Sequence, residues 1–379
     1  MSVWDEIVGQ PEAVATLRAA AGGPADGGDT MTHAWLITGP PGSGRSNLAY
    51  AFATALLSTQ VDGDADTIAQ VAARSHPDLT ALSTTAMTIK IEDVRETVRR
   101  SYYAPSISRY RVVIVEDADR MIERTSNTLL KALEEPPAET VWILCAPSEA
   151  DLLPTIRSRV RSVRLRTPSV ADIAELLHTR DGIDRDLAEQ SARLAQSHIG
   201  MARRLATDAD ARARREDTLR AVLDIRDVSD AVVMAQRLVE IAGADAKAYT
   251  GERDEQERER VLRSLGVEPG GTIPPALRAP LRDLENDQKR RAKRGLIDGV
   301  DRILTDLLSL YRDLLMQQLG RVEGLINTEL TREIREVAQS STPETTLHTM
   351  EAIREARERI GANITPTLAL EAMLVTAIR

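Results

Sequence analysis

At 379 residues the chain is too long for one ordinary core and suits two or three domains, each able to bury its own interior. With 42% hydrophobic and 28% charged residues it reads as a globular protein, and with aromatics at 3% and a single Phe its cores must be built from Leu, Ile, Val and Ala, which favours helices. A net charge of −9 excludes a whole-surface field that attracts nucleic acid and leaves only a local basic strip for such contact, while the lone Cys145 excludes an internal disulfide and a cysteine zinc site.

The chain opens MSVWDEIVGQ, with neither a basic n-region nor an apolar h-region, and no run approaches the roughly eighteen apolar residues that span a bilayer. The expectation is a cytoplasmic protein with no membrane segment. From there to about Thr167, short β-branched runs alternate with helical stretches: HAWLIT (33–38), RVVIV (111–115), TVWILC (140–145) and VRSVRL (160–165). This alternation predicts an α/β domain with a parallel sheet over 1–167.

After Thr167 no run reads as a strand. Ser169 is placed to cap a helix with Asp172 three residues on, and a small helical domain is predicted over 168–208. The remainder, 209–379, carries apolar residues at helical spacing in ILTDLLSLYRDLLMQQL (303–319) and TLALEAMLVTAI (367–378), with a break at GVEPGGTIPP (266–275). It is predicted to be all α-helical. The basic run Lys289 to Arg294 in this part is either a solvated helix face, the commoner meaning of such a run without stacking aromatics, or a DNA contact.

The chemistry centres on Gly39, Pro40, Pro41, Gly42, Ser43, Gly44, Arg45 and Ser46, which stand between the strand HAWLIT and a helix starting near Ser46. Strand, glycine-rich turn and helix form a P-loop, because only glycines let successive N–H groups and a helix N-terminus curl around a phosphate. The usual lysine is Arg45. A planar guanidinium keeps the charge but cannot take the compact place of an ammonium between β and γ phosphates, so nucleotide binding is expected to be weak or absent and hydrolysis lost. Ser46 stands where a magnesium-binding hydroxyl belongs.

The strand RVVIV ends in Glu116 and Asp117, where a working site needs Asp for magnesium and then Glu for water. The order is inverted, so each carboxylate stands about one methylene, roughly 1–1.5 Å, from its working position. These acids either mark a decayed catalytic pair or cap the following helix. A basic pair in the segment Thr155 to Val160, Arg157 and Arg159, precedes the last strand of this domain.

Taken together, WDEIVGQPEAV (4–14), GPPGSGRS (39–46), HPD (76–78), VVIVEDADRM (112–121), TLLKALEEPP (128–137), SRV (158–160) and GMARRLA (200–206) resemble the AAA+ clamp loaders, and specifically the delta-prime subunits of bacterial DNA polymerase III. The resemblance covers most of the chain. It implies an AAA+ domain, a helical lid and a helical collar that assembles with other subunits. It also implies a role in a hetero-oligomer with gamma/tau-type and delta-type partners that loads a sliding clamp onto primed DNA. By the same resemblance Val8, Gly9 and Gln10 lie near an adenine, and Arg159 is an arginine finger acting on a neighbour's ATP or, on the plainer reading, an ion-pair residue. Arg203 is likewise either a second sensor that meets phosphate or a residue of a solvated face. The first sensor falls on Ala146-Pro147, which offers no side-chain hydrogen bond, and the segment 58–75, where many relatives carry four zinc-binding cysteines, has none, so no zinc is expected. The alternative within the family is an ATP-hydrolysing motor subunit of the gamma/tau type.

Overall fold

The computed structural model describes residues 2–22, 31–84, 88–264 and 278–378. The chain divides into two compact units, Met1–Asp208 and Ala209–Arg379. In the first unit the order is α1 (Pro11–Gly22), β1 (Ala34–Thr38), α2 (Arg45–Leu57), α3 (Ala65–Ala72), β2 (Leu79–Leu82), α4 (Ile91–Ser101), β3 (Arg111–Val115), α5 (Glu123–Glu134), β4 (Thr140–Ala146), α6 (Pro154–Arg157) and β5 (Arg161–Arg164), then α7 (Val170–Asp181), α8 (Arg185–Leu194) and α9 (Ile199–Thr207).

The five strands form one parallel sheet in the order β2-β3-β4-β1-β5. β1 and β4 lie at its centre, and every residue of both is buried, which is why the sequence there is a continuous apolar run instead of an alternating one. Period-two geometry still sorts the side chains: Trp35, Ile37, Ile143 and Cys145 enter the core shared with α1 and α2, while Leu36, Trp142, Leu144 and Ala146 enter the core on the opposite face. On the first face the Trp35 ring meets Phe52 edge-on, centroids 5.4 Å apart. The edge strand β2, sequence LTAL, is only partly buried. It lacks the β-branched run that marks the other strands and escapes a reading by composition.

Asp78 of the His-Pro-Asp segment is a second organiser. Its fully buried carboxylate accepts N–H bonds from Ser106 (2.6 Å), Ile107 (2.9 Å) and Ser108 (3.0 Å) and pairs with buried Arg111 at 3.2 Å. Arg111 in turn donates to the carbonyls of Tyr103 and Ala104, so the connection from α4 to β3 is tied at both ends.

The helical extension of this unit begins as the sequence expects: Ser169 Oγ accepts from the Asp172 N–H at 3.0 Å, and Asp172 returns the bond to the Ser169 N–H at 3.1 Å.

The second unit consists of α10 (Ala209–Leu223), α11 (Val228–Ser264), α12 (Arg278–Gln318), α13 (Thr331–Ser340), α14 (Pro343–Gly361) and α15 (Pro366–Thr376), and no strand occurs in either unit's described residues after β5. α11 and α12 pack along each other. Their close approach is set by small residues, since a Cβ on Gly295 or Gly299 would come within 2.9 Å of Ala246 and 3.1 Å of Ala242. The break at 266–275 lies outside the described residues.

The basic run splits along α12: Arg291 is mostly buried against Asp254 (2.5 Å) and Glu257 (2.9 Å), Arg290 pairs with Asp287 and Arg294 with Asp298, and Lys289 and Lys293 face solvent. At the other end of α12, buried Arg215 donates to Asp306 (3.0 Å), Asn327 (2.7 Å) and Glu329 (3.2 Å), and Asp313 accepts the N–H groups of Ile326 and Asn327. This polar centre fixes the connection from α12 to α13. Among the described residues no helix is long and apolar enough to cross a membrane.

Replacing Asp78 by Ala leaves Arg111 buried without its counter-charge and three N–H groups without an acceptor, a loss of about 3–5 kcal/mol. All three tryptophans, Trp4, Trp35 and Trp142, lie in the first unit, so their fluorescence in a urea titration of the full chain reports this loss. Burial alone would push the Asp78 carboxyl up, but the bonds from Ile107, Ser106 and Ser108 and the charge of Arg111 outweigh it and hold the carboxyl below the ordinary aspartate value. A depressed folded-state pKa stabilises above the unfolded value and is lost as pH falls through the folded one. The wild-type chain is therefore expected to lose stability below about pH 4 more steeply than Asp78→Asn; parallel pH profiles would show that the charge of Asp78 contributes nothing.

Candidate functional site: a P-loop with its side chains engaged

β1 ends at Thr38 and the chain turns at once into the glycine-rich loop. Gly39 N–H donates to the Pro147 carbonyl at 3.2 Å, just past β4, so the loop is fastened to the residue pair that would carry the first sensor. Gly42 (φ 78°) and Gly44 (φ 92°) take the left-handed conformation that lets the loop curl, and α2 starts at Arg45. The backbone is that of a phosphate loop.

Three charged side chains around it, those of Arg45, Glu116 and Asp117, are committed elsewhere. The Arg45 guanidinium turns back and donates to the Gly39 carbonyl at 2.9 Å. Glu116 accepts the Tyr50 hydroxyl at 2.8 Å and pairs with Arg74 at 2.9 Å. The Tyr50 phenol is pushed above its ordinary pKa, first by burial and then by the Glu116 charge beside it, so it remains a donor. Asp117 sits near Arg120 at 3.7 Å, and burial followed by the neighbouring Asp117 charge raises the Asp119 carboxyl. Cys145 is a buried thiol with its pKa pushed up to about 12 by burial, a packing residue with no nucleophilic character.

Ser46, Asn47, Tyr50, Arg74 and Glu116 share one pocket of about 470 Å³ with the N-terminal segment. Two carboxylates line this pocket with Ser46: Glu116, which pairs with Arg74 and accepts the Tyr50 hydroxyl, and Glu6 of the N-terminal segment. Of the acidic groups that a magnesium-bound nucleotide would meet here, Glu116 is already engaged by the chain itself.

The remaining candidates lie as follows. The amide of Gln10 is buried and engages the backbone of Arg166 at both ends, donating to its carbonyl at 2.7 Å and accepting its N–H at 2.9 Å; Gly9 packs on Pro168 and Asp172, and Val8 precedes this turn. Arg203 lies 3.4 Å from Asp181, whose carboxyl is held low by Arg180 first, and is itself largely exposed. Arg159 stands apart from the loop, beside an open depression lined by Thr32, His33, Leu133, Glu134, Ser158 and Val160. It pairs with Glu134 at 2.6 Å and donates to the Thr155 carbonyl at 2.7 Å.

Three participants had no signal in the sequence. Tyr50 and Arg74 come from α2 and from the turn after α3, and His198, the N-cap of α9, brings its ring against Gly42. Only the path of the chain puts them there.

A parallel sheet of this order with a phosphate loop after its central strand β1 and a helical extension behind it defines the AAA+ class. Residues 13–169 match the family described as DNA polymerase III, delta subunit. The chain is 33% identical over 167 residues to the DNA polymerase III subunit gamma/tau of Mycobacterium tuberculosis, covering 42% of this chain and 28% of that protein. It is 32% identical over 177 residues to the delta-prime subunit of Escherichia coli, covering 45% of this chain and 53% of that protein. The matches thus span about a quarter to about half of these relatives' length. A solved structure, a DNA polymerase III gamma subunit-related protein of Thermotoga maritima, aligns over 97% of this chain and 99% of its own with a TM-score of 0.47 at 16% identity. Over its α/β segment the chain is similar to the clamp-loader subunits of DNA polymerase III.

Arg74 and Tyr50 hold Glu116 independently of residue 45, so restoring the usual lysine is not expected to restore catalysis. Arg45→Lys is expected to leave steady-state ATP hydrolysis by the isolated chain at background; turnover in the ordinary range of about 1–100 s⁻¹ would show that residue 45 alone disables the site.

Proposed function

We propose that this chain is a delta-prime-like subunit of the clamp-loader complex of DNA polymerase III, holding its place in a hetero-oligomer with gamma/tau-type and delta-type subunits while the sliding clamp is loaded onto primed DNA. Its own P-loop neither binds nucleotide tightly nor hydrolyses it. The observation that carries this reading is the neutralisation of Glu116 by Arg74 and Tyr50 within a loop whose cation, Arg45, is turned onto Gly39. A gamma/tau-type motor is the second reading, favoured by 33% identity to the mycobacterial gamma/tau protein. The same side chains argue against it.

Arg159 would act in trans. Its pair with Glu134 joins two partly exposed side chains, and such pairs contribute about 0–1 kcal/mol. A neighbour's phosphate charge can therefore draw the guanidinium away at little cost, and a planar fork suits phosphate oxygens. Arg159→Ala is expected to leave folding and assembly intact and to lower the DNA- and clamp-stimulated ATPase of the reconstituted complex, with Arg159→Lys rescuing poorly. A fully dependent site would lose on the order of 10³–10⁵ in rate, diluted in the complex by its other sites. Wild-type rates with Arg159→Ala would remove the in-trans role.

Assembly would rest on the second unit. α15 is apolar almost throughout, and a helix apolar on all faces is normally covered on all of them; yet Leu368 and Val375 are exposed on its outer side, seven residues apart. Leu368→Asp with Val375→Asp should leave a folded, soluble chain that no longer co-purifies with the other loader subunits. Undiminished co-purification would place the assembly surface elsewhere.

A further inference from the structure

The P-loop is touched by the chain itself. His198 caps α9, its Nδ1 accepting the Met201 N–H at 3.2 Å, and its ring lies so close to Gly42 that a Cβ there would stand 2.3 Å from Cγ and 2.5 Å from Cδ2. The next residue continues the contact: Ile199 N–H donates to the Gly42 carbonyl at 3.2 Å, and Ile199 Cδ1 is 3.7 Å from the Cβ position of Gly44. Both left-handed glycines of the loop are thus met by adjacent residues of α9, one through a ring and one through a methyl, with a backbone hydrogen bond between them. Ser43, between the two glycines, is buried.

We propose that in this chain the P-loop has become an intramolecular receptor, a clasp in which His198 and Ile199 hold the helical lid closed on Gly42 and Gly44 without nucleotide. The inference rests on the reading of the site as non-hydrolytic and extends it to what the loop is now for. In a nucleotide-using site the ligand bridges loop and lid, and its arrival and departure move the lid. Here the bridge is covalently part of the lid. Glycine at 42 is then required by the imidazole as much as by its own φ, and the lid is fixed in one position whatever the nucleotide concentration.

The test is a double-substitution cycle between positions 42 and 198 in the full-length protein, read by amide hydrogen exchange in α9 and by tryptophan fluorescence in urea. Gly42→Ala carries two costs, the collision with the ring and the strain of a Cβ at φ 78°. The first vanishes when the ring is removed. Gly42→Ala should therefore be less destabilising in the His198→Ala background than alone, and additive effects would overturn the clasp.

His198→Asn separates the clasp from capping, because Asn is a good N-cap but has no ring. It should still speed exchange in α9 roughly tenfold while leaving β1 and β4 protected, a sub-global opening. Wild-type exchange in His198→Asn would reduce His198 to a cap and sink the proposal, and this arm stands even where Gly42→Ala does not fold. Adding magnesium and ATP to the wild-type chain should leave α9 exchange unchanged; slowed exchange would mean that nucleotide, not His198, closes the lid. Hydrolysis by the wild-type chain would count against the proposed function, whereas the coupling between 42 and 198 is measured without nucleotide, so the two ideas fail separately.

Discussion

The pairing of β1 with β4 is the constraint on which the rest of the first unit depends. These two strands are buried on both faces and register Ala34 through Thr38 against Trp142 through Ala146. The register sets where the chain leaves the sheet: Gly39 emerges beside Pro147, and β5, paired to the other side of β1, brings Leu165 N–H onto the Thr38 carbonyl at 2.7 Å. Phosphate loop, first-sensor position and the strand that follows Arg159 are therefore fixed relative to one another by main-chain hydrogen bonds. A slip of one residue would turn every side chain of β1 to the other face.

On this scaffold the charged groups sort by burial. Asp78 and Arg111 are inside, and their pairing with three backbone donors is structural, because separating them leaves a charge stranded in low dielectric. Arg159 and Glu134 are partly exposed, and water stands ready to replace either partner. The same chemical pairing is thus permanent in one place and exchangeable in the other. Glu116 lies between these limits, mostly buried, with one partly exposed partner in Arg74 and one phenolic donor in Tyr50. Backbone shape and chemistry are set separately here, since the curl of the loop depends on two glycines while catalysis depends on side chains free to meet a ligand.

The second unit solves a different problem with similar means. Its core is aliphatic, but Arg215, Asp306, Asp313 and Asn327 form a buried polar centre at the point where the chain leaves α12. Burial pushes the Glu329 carboxyl up, which is tolerable because Arg215 is its neighbour. The arrangement fixes a connection that has little apolar surface of its own to bury.

The sequence by itself determined whatever depends on neighbours within a turn or two. The apolar runs specified the buried parallel strands, the glycines at 42 and 44 specified the curled loop, Ser169 with Asp172 specified the start of α7, and the helical spacing after 208 specified an all-α region. These signals are periodicity, capping and backbone freedom, which are local by nature. Composition missed β2 because an edge strand need not be β-branched or fully buried.

Only the tertiary structure decided what each candidate side chain touches: Arg45 on Gly39, Glu116 on Tyr50 and Arg74, Gln10 on Arg166, Arg159 on Glu134, Arg291 inward on Asp254, and His198 on Gly42. A motif states which groups are available. Whether they are free for a ligand depends on which distant elements the sheet order and helix packing bring within 3 Å or so, and hydrogen bonds and charges act only over such distances.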